Sequence, residues 1–198
     1  MNAVNVMNAT EAQESATTVQ TDSTNQNDSA ASERDNLLEC LAHAPFFLQF
    51  TARELTTEQA STRSTASELT IGGLIKHVTG VERGWVDFMV TGKDSETKNF
   101  TDYTEEEWQE MRSEFELLPG ETLESVLAAY GAEGERTEEI VRSLPSFDVA
   151  HELPKAPWFT EETWSARRVL MHIIMETSRH AGHADIIREA LDGAKSMG

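Results

Sequence analysis

Apolar residues recur at helical spacing in four long segments between Glu33 and Gly193, and no segment shows sustained alternation of apolar and polar residues. The first segment runs to Leu55. It contains Pro45, which should kink the helix or mark its first turn because proline lacks an amide donor. A stretch rich in serine and threonine, residues 56–67, follows and predicts a loop.

The second segment is followed by a long acidic connection. The second helix should begin after Thr70, a typical N-cap residue, and run to about Val90. Its predicted core face comprises Leu74, Val78, Val81, Trp85 and Phe88. Within the connection, residues 91–121, the acidic side chains that follow a threonine at residues 104–108 predict a short capped helix.

Two further helices complete the pattern. The third should begin after Thr122, and the fourth should run from about Ser165 to Gly193, a typical C-terminal glycine. The predicted core face of the third helix comprises Leu123, Val126, Leu127, Tyr130, Ile140 and Val141. Four amphipathic helices of this length predict an all-α fold, an up-down four-helix bundle with one long crossover connection.

Residues 1–31 differ in composition from the rest of the chain. They contain no lysine, arginine or aromatic residue and few bulky apolar residues. Such a segment cannot bury enough apolar surface to offset the entropy that it would lose on ordering. We therefore predict a disordered or weakly ordered polar tail over residues 1–31 and a single four-helix-bundle domain over residues 32–198.

The charge balance restricts the partners of the protein. The chain carries 35 acidic and 16 basic residues, a formal net charge of −19, which repels phosphate backbones and anionic membrane surfaces. We therefore expect neither nucleic acid nor a membrane as a partner. The single cysteine, Cys40, excludes an intrachain disulfide and favours the cytoplasm. Its apolar neighbours predict a buried small hydrophobe rather than a nucleophile.

The fourth helix places three polar side chains on its apolar face. At about 100° of rotation per residue, His180 lies about 40° from Glu176 on one side, and His183 about 20° on the other. The same face of the helix carries Val169, Ile173, Ile187 and Leu191. A carboxylate and two imidazoles among aliphatic side chains are costly to bury unless something satisfies them, and a divalent metal ion would do so.

A further ligand has to come from a facing helix, because two ligands from one helix are not sufficient. His77 on the second helix is the natural donor, since it lies at the edge of that helix's apolar stripe. Gly73 and Gly84 lie beside it, and glycines there would let a partner helix or a ligand approach closely.

Each of these side chains also has a structural interpretation. His77 could be an ordinary core histidine, and Glu176 could form an internal salt bridge with Arg179 or with an arginine of another helix. His172 and His183 could be helix-surface or interface residues. Spacing alone therefore leaves a metal site and an internal polar network as alternatives of similar weight.

Two stretches of the chain resemble DinB-like proteins. Residues 69–85, LTIGGLIKHVTGVERGW, look like the second helix of the actinobacterial subgroup related to mycothiol-dependent maleylpyruvate isomerase. Residues 168–176, RVLMHIIME, with the continuation TSRHAGHADIIRE and the later LDG, look like the fourth helix of that subgroup. The resemblance extends over about residues 33–193. The chain ends five residues after Gly193, so the extra C-terminal domain of the true isomerase is missing from the match.

The resemblance implies a four-helix bundle, commonly dimeric, in which three side chains bind a metal ion. Carried over by position, the ligands would be His77 on the second helix and Glu176 and His180 on the fourth. His183 stands where many family members have glutamine, so it would be an alternative ligand or a side chain that supports the ligands. The implied ion is divalent, with zinc as the first expectation and nickel as the second.

The resemblance also implies a reaction. Three protein ligands leave the metal an open position, and in this family that position is implied to bind a low-molecular-weight thiol such as mycothiol. Metal binding lowers the pKa of a thiol and so supplies thiolate at neutral pH. We therefore expect a metal-dependent thiol S-transferase or isomerase that acts on small electrophiles, as a homodimer in the cytoplasm.

Two alternatives from other functional classes stay open at this point. The protein could be a non-enzymatic, metal-dependent stress or binding protein, or a metal-free dimeric scaffold whose polar cluster is a hydrogen-bond network. The sequence assigns no general acid or base. Arg179, Arg188 and Trp85 could lie near the site or could serve structural roles as surface charges and a core aromatic.

Overall fold

The computed structural model describes residues 32–93 and 98–196. By its internal contacts the chain divides into two units, Met1–Leu37 and Leu38–Gly198. Within the first unit, residues 32–37 are helical, and the predicted polar tail over residues 1–31 lies outside the described residues. All the residues with candidate chemistry belong to the second unit.

The second unit is a four-helix bundle, as predicted. Its long helices are α1 (residues 38–51), α3 (Ile71–Thr91), α5 (Leu123–Ser143) and α6 (Ala166–Asp192). The connections contain α2 (Thr57–Ala60), a 3₁₀ turn (Phe100–Asp102), α4 (Glu105–Ser113) and the strands β1 (Ala150–Glu152) and β2 (Thr163–Ser165). None of the helices in the described ranges is both long and apolar enough to cross a membrane.

Polar residues at the helix ends explain where α3 and α6 begin and end. Thr70 Oγ1 accepts a hydrogen bond from the Gly73 amide at 3.1 Å, and Ser165 Oγ accepts one from the Arg168 amide at 3.2 Å. Gly193 follows α6 with φ of 80°, a left-handed conformation that glycine adopts without strain. The predicted bounds of both helices are therefore confirmed.

The core draws on all four long helices. Its residues are Leu48 of α1, Ala52 and Ala60 beyond it, Ile71, Leu74, Ile75 and Val78 of α3, Leu123, Val126 and Tyr130 of α5, and Ala181, Ala184 and Ile187 of α6. Burying aliphatic side chains of this size contributes roughly 1.5–3 kcal/mol each. This packing keeps α3 and α6 side by side, and their shared seam carries the candidate metal ligands.

The buried face of α3 differs in part from the prediction. Leu74 and Val78 are buried as expected, but Val81, Trp85 and Phe88 are only half-buried. The buried positions continue instead through Glu82, Val86 and Met89. The physical reason is that α3 packs against both α5 and α6 and so has two contact faces, which the predicted stripe merged into one.

The connection between α5 and α6 contains a short antiparallel ribbon that the sequence did not predict. Ala150 pairs with Ser165, His151 with Trp164, and Glu152 with Thr163. Strands of three residues are too short to show alternation in the sequence. Because β2 ends where α6 begins, the ribbon places Trp164 at the first turn of that helix.

Two smaller predictions were wrong. Residues 57–60, within the predicted loop, form α2, which a capping box between Thr56 and Gln59 stabilises. Cys40 is exposed rather than buried, because the buried part of α1 begins one turn further along, at Ala44. Of the two alternatives expected for Pro45, the first turn is excluded, because the helix continues through this proline.

Candidate metal centre

The seam between α3 and α6 brings the predicted ligands together. The imidazole rings of His77 and His180 meet edge to face, with their centroids 5.0 Å apart. One turn earlier on α6, Glu176 Oε2 lies 3.5 Å from His180 Nε2. The three side chains therefore lie in a row across two helices, with His180 in the middle.

Two further side chains of α6, those of His183 and Arg179, contact these three residues. His183 Nδ1 lies 3.4 Å from His180 Nδ1. Arg179 Nη1 donates a hydrogen bond to Glu176 Oε1 at 2.9 Å, so the intrahelical salt bridge considered from the sequence is present. The Arg179 side chain is 60% exposed, and such a pair contributes little to stability. Because Arg179 bonds only Oε1 of Glu176, Oε2 of that carboxylate remains available to face His180.

The connection between α4 and α5 covers the other side of His77. Phe115 stacks on the His77 ring with a centroid distance of 3.8 Å and an interplanar angle of 22°. Lys76 holds this segment on α3, since its Nζ donates to the Glu116 carbonyl at 3.2 Å and to the Glu121 carboxylate at 2.8 Å. The sequence analysis did not identify Phe115, because nothing in an irregular segment indicates which helix it will contact.

Close packing of this segment depends on Gly73. A Cβ at this position would lie 1.7 Å from the carbonyl oxygen of Phe115, so only glycine fits here. The close approach expected at Gly73 therefore occurs. A Cβ at Gly84 would have no neighbour within 4 Å, so the same expectation for Gly84 was wrong.

Burial makes both imidazoles weak bases. Burial, assisted by the nearby His180, lowers the pKa of His77 from 6.5 to about 4. Burial also lowers the pKa of His180, although the Glu176 carboxylate opposes this shift. Both rings are therefore neutral at neutral pH, and a neutral imidazole has a nitrogen lone pair available to a metal ion.

His77 has a buried nitrogen with no partner. Its Nδ1 is inaccessible to solvent and makes no hydrogen bond with any described residue. An unsatisfied buried polar atom costs roughly 1–3 kcal/mol unless something binds it. Across the described residues, no three histidine, cysteine, aspartate or glutamate side chains already surround one point as metal ligands. The donor types, the neutral imidazoles and the unpartnered nitrogen nevertheless fit a divalent ion.

His172 lies elsewhere on α6, in an aromatic cluster. Its ring contacts Trp85 and Trp164, each at a centroid distance of 5.0 Å, and these two indoles stack on each other at 4.7 Å. Arg168 covers Trp164 at 4.2 Å from the ring centroid. His172 and Trp85 are therefore not among the close neighbours of His77 and His180, and they form an aromatic wall further along the same seam.

Arg188 serves a structural role. It is buried, and its Nη1 donates to the carbonyl oxygens of Thr51 and Arg53 at 2.7 Å each. Its Nε pairs with Asp192 at 2.9 Å. The guanidinium thus satisfies carbonyls at the end of α1 and links that end to α6.

The sequence matches one family model over most of its length. The model of the mycothiol-S-transferases matches residues 36–193. The matched span includes all four candidate side chains of the seam, His77, Glu176, His180 and His183. No curated protein matches the sequence significantly.

Three chains of solved structures match the sequence's fold significantly, including the following two. YfiT from Bacillus subtilis, described as a probable metal-dependent hydrolase with an unusual four-helix bundle topology, has a TM-score of 0.57 and 18% sequence identity. The match covers 79% of this chain and 86% of YfiT. A conserved protein from Enterococcus faecalis has a TM-score of 0.56 at 13% identity, covering 81% of this chain and 97% of that protein. At these identities the likeness concerns the fold, and it agrees with the predicted bundle.

Proposed function

The chain belongs to the mycothiol-S-transferase family, of DinB-like fold, and from this premise we propose that it is a metal-dependent thiol S-transferase. In this proposal His77, Glu176 and His180 bind one divalent metal ion at the seam of α3 and α6. A low-molecular-weight thiol such as mycothiol is one substrate, and a small electrophile is the other.

The observation that carries the proposal is the buried, unpartnered Nδ1 of His77 beside His180. A hydrogen-bond network without metal would be expected to satisfy this nitrogen, because buried polar groups are almost always paired. A ligand set of two neutral imidazoles and one carboxylate suits zinc, and three protein ligands leave a position open for a substrate. We therefore favour a catalytic metal site over a metal-free scaffold.

The surrounding residues would hold the ligands in place. Phe115 fixes the plane of the His77 ring by stacking, and Arg179 fixes one oxygen of Glu176 by a hydrogen bond. His183 contacts the His180 nitrogen that faces away from Glu176, so we assign it a supporting role rather than that of a ligand. A bound divalent ion lowers the pKa of a coordinated thiol and so supplies thiolate at neutral pH.

The reaction follows from this chemistry. The thiol would release its proton to solvent as the thiolate forms. Sulfur of the thiolate then forms a bond to carbon of the electrophile, and the leaving group departs with the electron pair of the bond that breaks. The aromatic wall of Trp85, Trp164 and His172 lies along the same seam and would cover the organic part of a substrate. Zinc as the ion, a homodimer and a cytoplasmic location complete the proposal as predictions from the family.

Metal analysis and thiol conjugation test the proposal. Protein purified without a histidine tag should contain close to one equivalent of metal, natively or after zinc reconstitution. Less than about 0.2 equivalents in both preparations would support the metal-free scaffold instead. Conjugation of mycothiol to a chromogenic aryl halide should then be measured for the wild type, for His180→Ala and for His43→Ala, an exposed control.

The outcomes separate the candidate functions. Loss of conjugation in His180→Ala alone supports the transferase. Equal rates in the wild type and His180→Ala would contradict catalysis at this centre, and full metal content without any conjugation would favour a binding protein. Product formed from the aryl halide without thiol would indicate hydrolysis, the probable activity given for YfiT.

A further inference from the structure

A mainly apolar cavity lies between α1, α3 and α5, away from the candidate metal centre. It has a volume of about 170 Å³, opens to solvent, and is lined by residues of α1 and α5 together with Glu82 of α3. Glu82 stands five positions after His77, about 140° around α3, so the two side chains belong to different faces of the helix. The wall from α1 is largely apolar and includes Leu41, Ala42 and Pro45.

Glu82 is a buried carboxylate without a cationic partner. It is 4% exposed, and its Oε1 accepts a hydrogen bond from Thr137 Oγ1 at 2.6 Å. Among the described residues, no lysine, arginine or histidine forms an ion pair with it. The arginines nearby, Arg83 and Arg136, bind Glu133 instead, at 3.0 and 2.7 Å. An unpaired buried charge is costly, so this carboxylate has an unsatisfied capacity to bind a cation.

Tyr130 adds a second unsatisfied group to the same cavity. The residue is 1% exposed, and its Oη makes no hydrogen bond of good geometry with the described residues. Burial and the neighbouring Glu82 carboxylate both raise the pKa of this phenol, so it stays protonated and can also accept a hydrogen bond. A weaker interaction with the Thr177 side chain opposes the rise in the pKa of Tyr130. A buried carboxylate without a cation and a buried phenol without a well-formed hydrogen bond line the same cavity, and together they indicate a ligand.

We propose that this cavity is a binding site for a small primary alkylammonium ion, with its ammonium group on Glu82 and Tyr130 and its alkyl group against Leu41, Ala42 and Pro45. An ammonium group has three N–H donors, enough for a carboxylate oxygen and a phenol oxygen together.

Space and charge support this occupant. Gly131 and Gly134 line the cavity, and a Cβ at either position would meet no atom within 4 Å, so the glycines leave room along α5. The net charge of −19 raises the local concentration of cations around the whole molecule. An anionic or a purely apolar ligand would leave the Glu82 carboxylate unpaired and is disfavoured.

Titration with n-butylammonium chloride tests the proposal on the full-length, metal-free protein, so that the result does not depend on the candidate metal centre. Chemical shifts of the Gly131 and Gly134 amides report binding, and n-butanol serves as the neutral isostere. Glu82→Gln removes the charge, whereas Glu139→Gln removes an exposed carboxylate of α5 that does not line the cavity and is the matched control.

We expect saturable binding of butylammonium that is at least about ten-fold tighter than that of butanol, since a hydrogen bond to a charged group contributes roughly this factor. Glu82→Gln should lose this preference and Glu139→Gln should retain it. Equal binding of the two ligands by the wild type, or equal affinity in Glu82→Gln, would overturn the proposal. The comparison of the two ligands on the wild type needs no variant, so misfolding of Glu82→Gln would not prevent a decision.

Discussion

His77 and Phe115 stack at 3.8 Å, and this contact exists because Gly73, one turn before His77 on α3, has no side chain. The backbone of Phe115 occupies the space that a Cβ at Gly73 would fill. Gly73, which is not itself a candidate ligand, thus determines which ring covers the candidate ligand His77. Backbone packing and ligand orientation are coupled at this point of the seam.

Replacing Gly73 should therefore damage both stability and metal binding. Gly73→Ala forces the Phe115 backbone away from α3, which should reduce the free energy of unfolding by about 2–3 kcal/mol. The matched control is Gly84→Ala on the same helix, where a methyl group meets nothing within 4 Å and should increase stability by up to about 1 kcal/mol. Urea denaturation of the metal-free proteins measures the free energy of unfolding of both variants. Similar changes in the two variants would contradict this packing account.

Removing His180 should abolish tight metal binding. His180 lies between His77 and Glu176 in the row of candidate ligands. His180→Ala should therefore weaken zinc affinity by more than about 100-fold in calorimetric titration. His172→Ala, on the same helix but in the aromatic cluster, should change affinity by less than about ten-fold. Chelation should lower the melting temperature of the wild type and leave that of His180→Ala unchanged. Equal affinities for the two variants would exclude His180 as a ligand.

The metal-free protein should lose stability in mild acid through His77. Burial and His180 lower its folded pKa to about 4, below the unfolded value of 6.5. A group with a depressed folded pKa contributes stability that is present above pH 6.5 and is lost as the pH falls through 4, because the unfolded chain binds the proton first. The full effect is at most about 3 kcal/mol.

His77→Phe provides the measurement, because phenylalanine keeps a ring against Phe115 but does not titrate. In the presence of a chelator, the unfolding free energy of the wild type relative to His77→Phe should fall between pH 7.5 and pH 4.5. His43→Phe, an exposed substitution on α1, should show no such trend. A difference between wild type and His77→Phe that is independent of pH would show that His77 does not titrate in this way.

The sequence predicted the helices and their ends well because the signals are local. Thr70 and Ser165 cap their helices with their own side chains, and Gly193 ends α6 through its own backbone conformation. The relation of Glu176 to His180 could also be predicted, since a spacing of four residues on one helix determines it. The fold and half of the candidate centre follow from such short-range rules.

The contacts that depend on tertiary structure were not predictable in this way. Phe115 reaches His77 from an irregular connection, and Trp164 reaches Trp85 from a strand too short to recognise. The apolar stripe of α3 could not distinguish its face toward α5 from its face toward α6. That is why Glu82, a charged residue, is buried on a face that the sequence analysis did not assign to the core.

Removing the charge of Glu82 should stabilise the protein at neutral pH. Burial raises the pKa of this carboxyl, the hydrogen bond from Thr137 opposes that rise, and the nearby Glu133 adds to it. A carboxyl with a raised folded pKa contributes stability that is present below its unfolded value of 4.5 and is lost as the pH rises through the folded value. Arg83 and Arg136, the cations close by, bind Glu133 and do not compensate Glu82.

Glu82→Gln keeps an oxygen for the hydrogen bond from Thr137 but cannot ionise. In urea denaturation without added amine, we expect this variant to match the wild type near pH 4 and to exceed it by about 1 kcal/mol at pH 8. Glu139→Gln, at an exposed position of α5, should match the wild type at both values. If Glu82→Gln were less stable than the wild type at pH 8, the ionised carboxylate would have to be satisfied by protein groups, and the cavity would have no need of a cation.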